Sequence, residues 1–323
     1  MIWLTLILLA PGVLLVIGAI SRWEGLRRVS RNLLVSYSVF ALAIAGAETY
    51  FRYIHAESEN ILTMATYNWL DRHWQTNSLG FRDREWSPDD WQDKTTVMIV
   101  GDSFAAGWGI TDPADRFGDV LAARLGDDYA VLNVAEYGRS TPEQLEILKA
   151  HPLQNPDVVI LQYFLNDISY AQLRLGLQLD PGVTPWWAQR SYLLNFLYYR
   201  YLIQLIGPVD DWQTYDFQAY DNPVIWDVHR QEIEEFIAYV QVKDARLIVV
   251  IFPNMLYPVR SVPYVDRVAQ VFEANDQNEI LKLFGEAAVW ELQDRIVSNR
   301  DTHPSIAFHR MVGESIYEMF FTE

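Results

Sequence analysis

An uncharged run of 19 residues, Ile2–Ile20, opens the chain and restricts its folding more than any other feature. Such a run, close to the roughly 20 residues that cross a bilayer as a helix, either spans a membrane or is removed as a signal peptide. The absence of Lys or Arg ahead of the apolar core counts against the signal peptide. A second apolar run, Leu33–Ala47, extendable to Phe51, follows a charged link, Ser21–Arg31, that carries four arginines against Glu24. A buried core helix is the competing account of this shorter run. The two runs together predict a two-helix transmembrane hairpin over residues 1–53. Arginine-rich links stay in the cytoplasm, so the rest of the chain is expected outside the cell membrane.

Charge separates this head from the body of the chain. Of 25 Lys+Arg and 42 Asp+Glu in 323 residues, the first 53 residues hold five and two, a net of +3. Residues 54–323 keep 20 basic and 40 acidic residues, a net of −20. A body this acidic lacks the basic stripe of a nucleic-acid binder, so no nucleic-acid partner is expected. It also favours neutral substrates over polyanionic ones. The chain contains no cysteine, which excludes disulfides, cysteine-ligated zinc and a cysteine nucleophile. His55, His73, His151 and His229 have no carboxylate or cysteine at evident ligand spacing, so neither metal nor cofactor is expected.

From residue 95 onward, short β-rich apolar runs alternate with longer amphipathic ones. Thr95–Val100, Tyr129–Val134, Asp157–Gln162, Arg246–Phe252 and, more weakly, Ala287–Leu292 read as strands. Pro113–Leu125, Thr141–Ala150, His229–Lys243, Val265–Phe284 and Ser305–Phe321 read as helices. This rhythm predicts a three-layer α/β/α, flavodoxin-like sandwich over a parallel five-stranded sheet. Residues 54–94 form a polar, tryptophan-rich lead-in, and residues 95–323 the main domain. Residues 168–226 interrupt the rhythm as an insertion with an apolar helix over Tyr192–Ile206. That helix fits a lid, a sugar-stacking platform, a membrane-surface helix or ordinary packing onto the body.

The first strand ends in Gly101-Asp102-Ser103-Phe104. A serine at the carboxyl end of a parallel strand lies where α/β sheets bind ligands, although serine is also a common helix N-cap. After the second strand comes Asn133-Val134-Ala135-Glu136-Tyr137-Gly138, and after the third Phe164-Leu165-Asn166-Asp167. Before the last helix lies Asp301-Thr302-His303-Pro304. Each block follows a predicted strand on one edge of the sheet.

These four blocks, in this order, resemble the SGNH/GDSL hydrolase superfamily over about residues 95–321, and in particular its membrane-anchored members. The resemblance implies Ser103 as nucleophile, His303 as base and Asp301 as the carboxylate orienting it. It implies an oxyanion hole from the Ser103 and Gly138 N–H groups and the Asn166 amide. A serine hydroxyl needs such a base, and imidazole, with an ordinary pKa near ~6.5, suits the task. His309 is a rival base, placed inside the last helix. Trp108 reads either as a wall of the acyl pocket or as a core residue.

The sequence departs from the family pattern twice. Phe164 stands where a glycine is usual two residues before the asparagine, which bears on loop geometry and substrate clearance. Asp301 and His303 are two residues apart instead of three. The lead-in Asn77-Ser78-Leu79-Gly80-Phe81-Arg82 is similar to segments preceding the serine block in anchored members. Together these features imply a membrane-anchored serine esterase or acyltransferase acting on an acylated, chiefly acetylated, cell-surface glycan or other ester. A membrane O-acyltransferase fits such a protein as a partner, although no residue specifies one. The alternative is a catalytically silent glycan-binding or assembly subunit of the same fold.

Overall fold

The computed structural model describes residues 2–59, 61–177, 183–206 and 212–322. Two compact units are distinguished: one joins residues 1–72 with 181–209, the other joins 73–180 with 210–323.

In the first unit, helices Ile2–Ala19 and Glu24–Tyr53 run antiparallel, with Gly12 against Tyr37 and Gly18 against Ser30. Glycine at these two places lets the helix backbones approach closely. The connection is shorter than Ser21–Arg31, because Glu24–Arg31 already forms the first turns of the second helix. Among the described residues, that helix alone is long and apolar enough to cross a membrane. The apolar side chains of Leu14, Ile17, Val35, Val39, Phe40 and Leu42 are exposed. The predicted helix at Tyr192–Ile206 forms with a π-type turn at Tyr198–Leu202. It packs within this unit: Phe196 stacks on Phe51 at 4.2 Å, and Asn195 Oδ1 accepts the Met64 N–H. Buried Glu48 accepts from Ser191 Oγ at 2.7 Å and from the Tyr192 and Leu193 N–H groups. A carboxylate there satisfies the free donors that begin a helix.

The second unit holds a five-stranded parallel sheet: β1 (Thr95–Val100), β2 (Tyr129–Asn133), β3 (Val158–Phe164), β4 (Arg246–Phe252) and β5 (Glu279–Lys282). Their order, β2-β1-β3-β4-β5, is that of flavodoxin-like folds. Successive side chains of β1, β3 and β4 enter opposite cores, as a sheet covered on both faces requires. Met98, Leu161 and Val249 meet helices Thr141–Ala150, Pro223–Val242 and Pro258–Glu273. Ile99, Ile160 and Val250 share the other core with Phe117 and Leu121 of helix Phe117–Leu125 and with Phe308 and Val312 of helix Ile306–Phe320.

The fifth strand is not Ala287–Leu292. That segment includes the end of a short helix, Phe284–Val289, and the strand lies earlier, at Glu279–Lys282. A four-residue edge strand with a charged residue at each end carries too little apolar pattern to read, and a short apolar run suits helix and strand equally. A separate antiparallel pair, β6 (Ile296–Ser298) and β7 (Asp301–Pro304), precedes the last helix.

Candidate active site

β1 and β3 are neighbours at the point where strand order reverses, and the chain leaves their carboxyl ends at Ser103 and Asn166. Crevices at this switch point are where such sheets bind ligands. Ser103 begins a four-residue helix capped by Asp102, whose Oδ1 accepts the Phe104 N–H at 2.9 Å. The turn is fixed from β3. Gln162 Oε1 accepts the N–H groups of Asp102 and Ala105 at 2.9 and 3.1 Å. Gly101 is needed for space, since a Cβ would strike the Gln162 side chain.

Asp301 and His303 lie within β7, not after a strand of the main sheet as the sequence pattern suggested. In an extended strand, residues two apart share a face, which is why a two-residue spacing brings this pair together. His303 Nδ1 is 2.5 Å from Asp301 Oδ1, and Nε2 is 2.8 Å from Ser103 Oγ. A carboxylate only accepts, so Nδ1 carries the proton and Nε2 is left to accept from the serine hydroxyl. The Asp301 side chain is fully buried and that of His303 is 24% exposed. Asp301 Oδ2 is buried without a hydrogen-bond partner, against Gly109.

Asn166 follows β3 in a 3-10 turn and faces the Asp102 carboxyl; its Oδ1 is buried without a hydrogen-bond partner. Gly138 lies in the exposed loop after β2 with φ +73°, in open space. Its neighbour Tyr137 packs on Trp108 at 5.2 Å, and Trp108 on the His303 ring at 5.8 Å. Trp108 is thus a buried residue that touches the site. Beneath the turn, burial pushes the Asp102 carboxyl up, against the pull of the Phe104 N–H. Burial raises Asp167 further, with repulsion from Asp102 added; Gln144 Nε2 and the Phe164 N–H donate to it.

His309 is not a second base. It is buried in the last helix, its Nδ1 accepting the Phe117 N–H at 3.2 Å. Burial, and then the nearby Arg116 guanidinium, hold it down at about 3, so it stays neutral. The unfolded chain protonates this histidine near ~6.5, so between these values the unfolded state binds the extra proton. Stability is therefore lost as pH falls through that window, by on the order of 1 kcal/mol per pH unit from this group. Urea midpoints from pH 6.5 to 4 are expected to fall less steeply in His309→Gln than in the parent chain.

Sequence reasoning missed three supports. Gln162 had a readable signal: a polar residue inside an apolar strand demands a buried partner. The lead-in motif acquires a physical role through Arg82, which is 2% exposed. Its guanidinium donates to the carbonyls of Gly107 and Ile110, each at 2.6 Å, and of His73 at 2.9 Å. It thereby holds the loop that carries Trp108 and Gly109. Burial, then nearby Arg116, lowers its pKa to about 10, leaving it charged at neutral pH. The third support is Gly109 itself, whose contact with Asp301 no local pattern foretells.

Among the described residues, one group has potential metal-ligand atoms within 4.8 Å of one another: His55, Glu57 and Glu59 in the first unit. This corrects the reading of His55 as lacking carboxylates at ligand spacing. Glu57 and Glu59 lie two and four residues beyond it, outside any helix, a pattern the regular spacings do not cover.

The chain has no match among curated proteins. Several solved structures are similar in fold. TesA is 18% identical, with 69% of this chain and 96% of that one covered and a TM-score of 0.43. A lipolytic protein of the G-D-S-L family from Veillonella parvula DSM 2008 is 12% identical, covering 71% and 99%, with a TM-score of 0.44. A carbohydrate acetylesterase family member from Sinorhizobium meliloti is 15% identical, covering 69% and 96%, with a TM-score of 0.38. The sequence pattern of the GDSL-like lipase/acylhydrolase family matches residues 99–310, about two thirds of the chain. The chain belongs to the GDSL-like lipase/acylhydrolase family.

Proposed function

We propose that this protein is a membrane-anchored serine esterase that removes or transfers a short acyl group, chiefly acetyl, on a cell-surface glycan. The observation that carries this reading is the hydrogen-bonded line from Ser103 Oγ through His303 to buried Asp301. In the proposed mechanism His303 Nε2 takes the hydroxyl proton as Ser103 Oγ bonds to the ester carbonyl carbon. Asp301 holds the Nδ1 proton and stabilises the imidazolium. The Ser103 and Gly138 N–H groups and the Asn166 amide receive the charge that develops on the carbonyl oxygen. The carbon–oxygen bond to the alcohol breaks, and His303 returns the proton to the leaving oxygen. Water, or a sugar hydroxyl in the transfer reaction, then repeats the sequence on the acyl-serine and frees Ser103.

Anchoring is supported by helix Glu24–Tyr53 and by the exposed apolar side chains of the hairpin. With the arginine link in the cytoplasm, the catalytic unit lies outside. A reporter enzyme fused after Glu323 is expected to be active only in an extracytoplasmic compartment; cytoplasmic activity reverses the orientation.

The enzymatic reading is tested on the detergent-solubilised full chain. A fluorophosphonate probe is expected to label Ser103, located by peptide mass spectrometry, and p-nitrophenyl acetate to release acetate with the same serine dependence. Background hydrolysis and no labelling, in a folded protein, would favour the silent binding subunit. Acetyl-glycan formed from p-nitrophenyl acetate and an acceptor glycan distinguishes transfer from hydrolysis.

A further inference from the structure

Two sets of aromatic rings converge on His303. One is Trp108, which leads to Tyr137 and Trp74. The other is Phe104, whose ring meets His303 edge-on at 5.2 Å and is itself covered by Phe164, stacked at 4.2 Å and 24°. Phe164 is the last residue of β3, only partly buried, and two positions before Asn166. It lies on the same sheet face as Gln162, the residue that fixes the serine turn, since strand side chains alternate.

We propose that Phe164 sets the acyl-chain length of the substrate, closing the crevice beside Ser103 to anything much longer than an acetyl group. This rests on the serine-esterase reading above and adds to it a residue that selects the substrate. The tetrahedral carbon on Ser103 Oγ has three other substituents. Its oxygen turns to Asn166 and the N–H donors, and its leaving oxygen must face His303 Nε2 to receive the proton. The acyl carbon takes the remaining direction, along the wall between the Ser103 helix and the end of β3. The Phe104–Phe164 stack forms that wall. A methyl substituent needs only the space directly beside the reacting carbon, whereas each further methylene must displace the Phe164 ring. Phe104 is buried and backed by Phe252 at 5.3 Å, so the ring above it cannot retreat into the core. Aromatic rings in a close-packed wall resist displacement, and a methylene refused by a pocket typically changes kcat/KM by about 10-fold or more.

The test uses the solubilised full chain with p-nitrophenyl acetate, butyrate and octanoate, for the parent, Phe164→Ala and Phe164→Val. The parent is expected to prefer acetate. Phe164→Ala is expected to shift the octanoate-to-acetate ratio of kcat/KM upward by roughly 10- to 100-fold, with Phe164→Val between the two. An unchanged ratio in either folded variant overturns the proposal. The same variants are assayed on ethyl and benzyl acetate. A preference that relaxes for the alcohol and not for the acyl chain also overturns it. Phe164→Val keeps a strand-forming residue, so the ratio is measurable even if Phe164→Ala does not fold. Labelling rates with ethyl and octyl fluorophosphonates give the same comparison without turnover. A parent chain that neither hydrolyses nor labels would instead remove the esterase reading itself, and the two failures are therefore distinct.

Discussion

Ser103→Ala is expected to lower kcat for p-nitrophenyl acetate by a factor on the order of 10^4 to 10^6, with the melting temperature within a few degrees of the parent. His303→Ala is expected to have an effect of similar size, because its Nε2 is the base hydrogen-bonded to the hydroxyl. The double variant is then expected to be no slower than either single one, since the two residues act as a unit. Asp301→Asn is expected to cost about 10^4 by presenting the wrong hydrogen-bonding partner to Nδ1. Stopped assays on purified single and double variants measure all of these. A Ser103→Ala enzyme retaining a tenth of the parent rate would overturn the nucleophile assignment, and additive losses would overturn the unit.

The second large effect comes from a residue with no reactive group. Gly109→Ala is expected to lower kcat by about 100-fold, the cost of displacing a catalytic group by about 1 Å. Gly109 has φ +82°, and a Cβ there would lie 2.7 Å from Asp301 Oδ2 and 2.6 Å from Val297 Cγ2. The carboxylate must move, and with it the hydrogen bond that sets the imidazole. Gly126, at the end of helix Phe117–Leu125, has a similar φ of +76° with open space around it. Its ψ of −163° puts it in a region kept almost wholly for glycine, so Gly126→Ala carries backbone strain of about 1–3 kcal/mol without any contact to Asp301 and serves as the control. Equal kcat losses in the two variants would mean that strain, and not the contact with Asp301, is responsible.

Four of the five sheet strands were readable because each is a mainly apolar run rich in β-branched or aromatic residues. The fifth was not. Glu279–Lys282 pairs on one side only, and its first charged residue is held by Arg246. Ser103, His303 and Asp301 could be named as candidates because four short blocks in a fixed order resemble a known family, and the structure places the three side chains in one hydrogen-bonded line. The contact between Asp301 and His303 was half-readable: the spacing was visible, but not that β7 would be extended and so make two the correct separation. What could not be read were the residues acting over long separations. Arg82 binds carbonyls about 25 positions away, Gln162 reaches back 60 positions to Asp102, and Gly109 makes room for a side chain near the other end of the chain. No local pattern encodes such pairs. The insertion helix is a similar case, since its partners Glu48 and Phe51 lie some 145 residues earlier.

The Arg82 side chain has a consequence for where this protein can be cut. The family match begins at residue 99, and the first strand at Thr95. A chain trimmed at either point keeps every reacting group and loses the arginine that gathers the carbonyls behind them. The Ile110 carbonyl would then lose its guanidinium donor, and the Gly107 carbonyl would keep only the Ile110 N–H, where a hydrogen bond to a charged group is worth about 1.5–3 kcal/mol. A fragment that keeps this support therefore begins upstream of the stretch the family shares. Its upstream limit lies near His73, whose carbonyl Arg82 also holds.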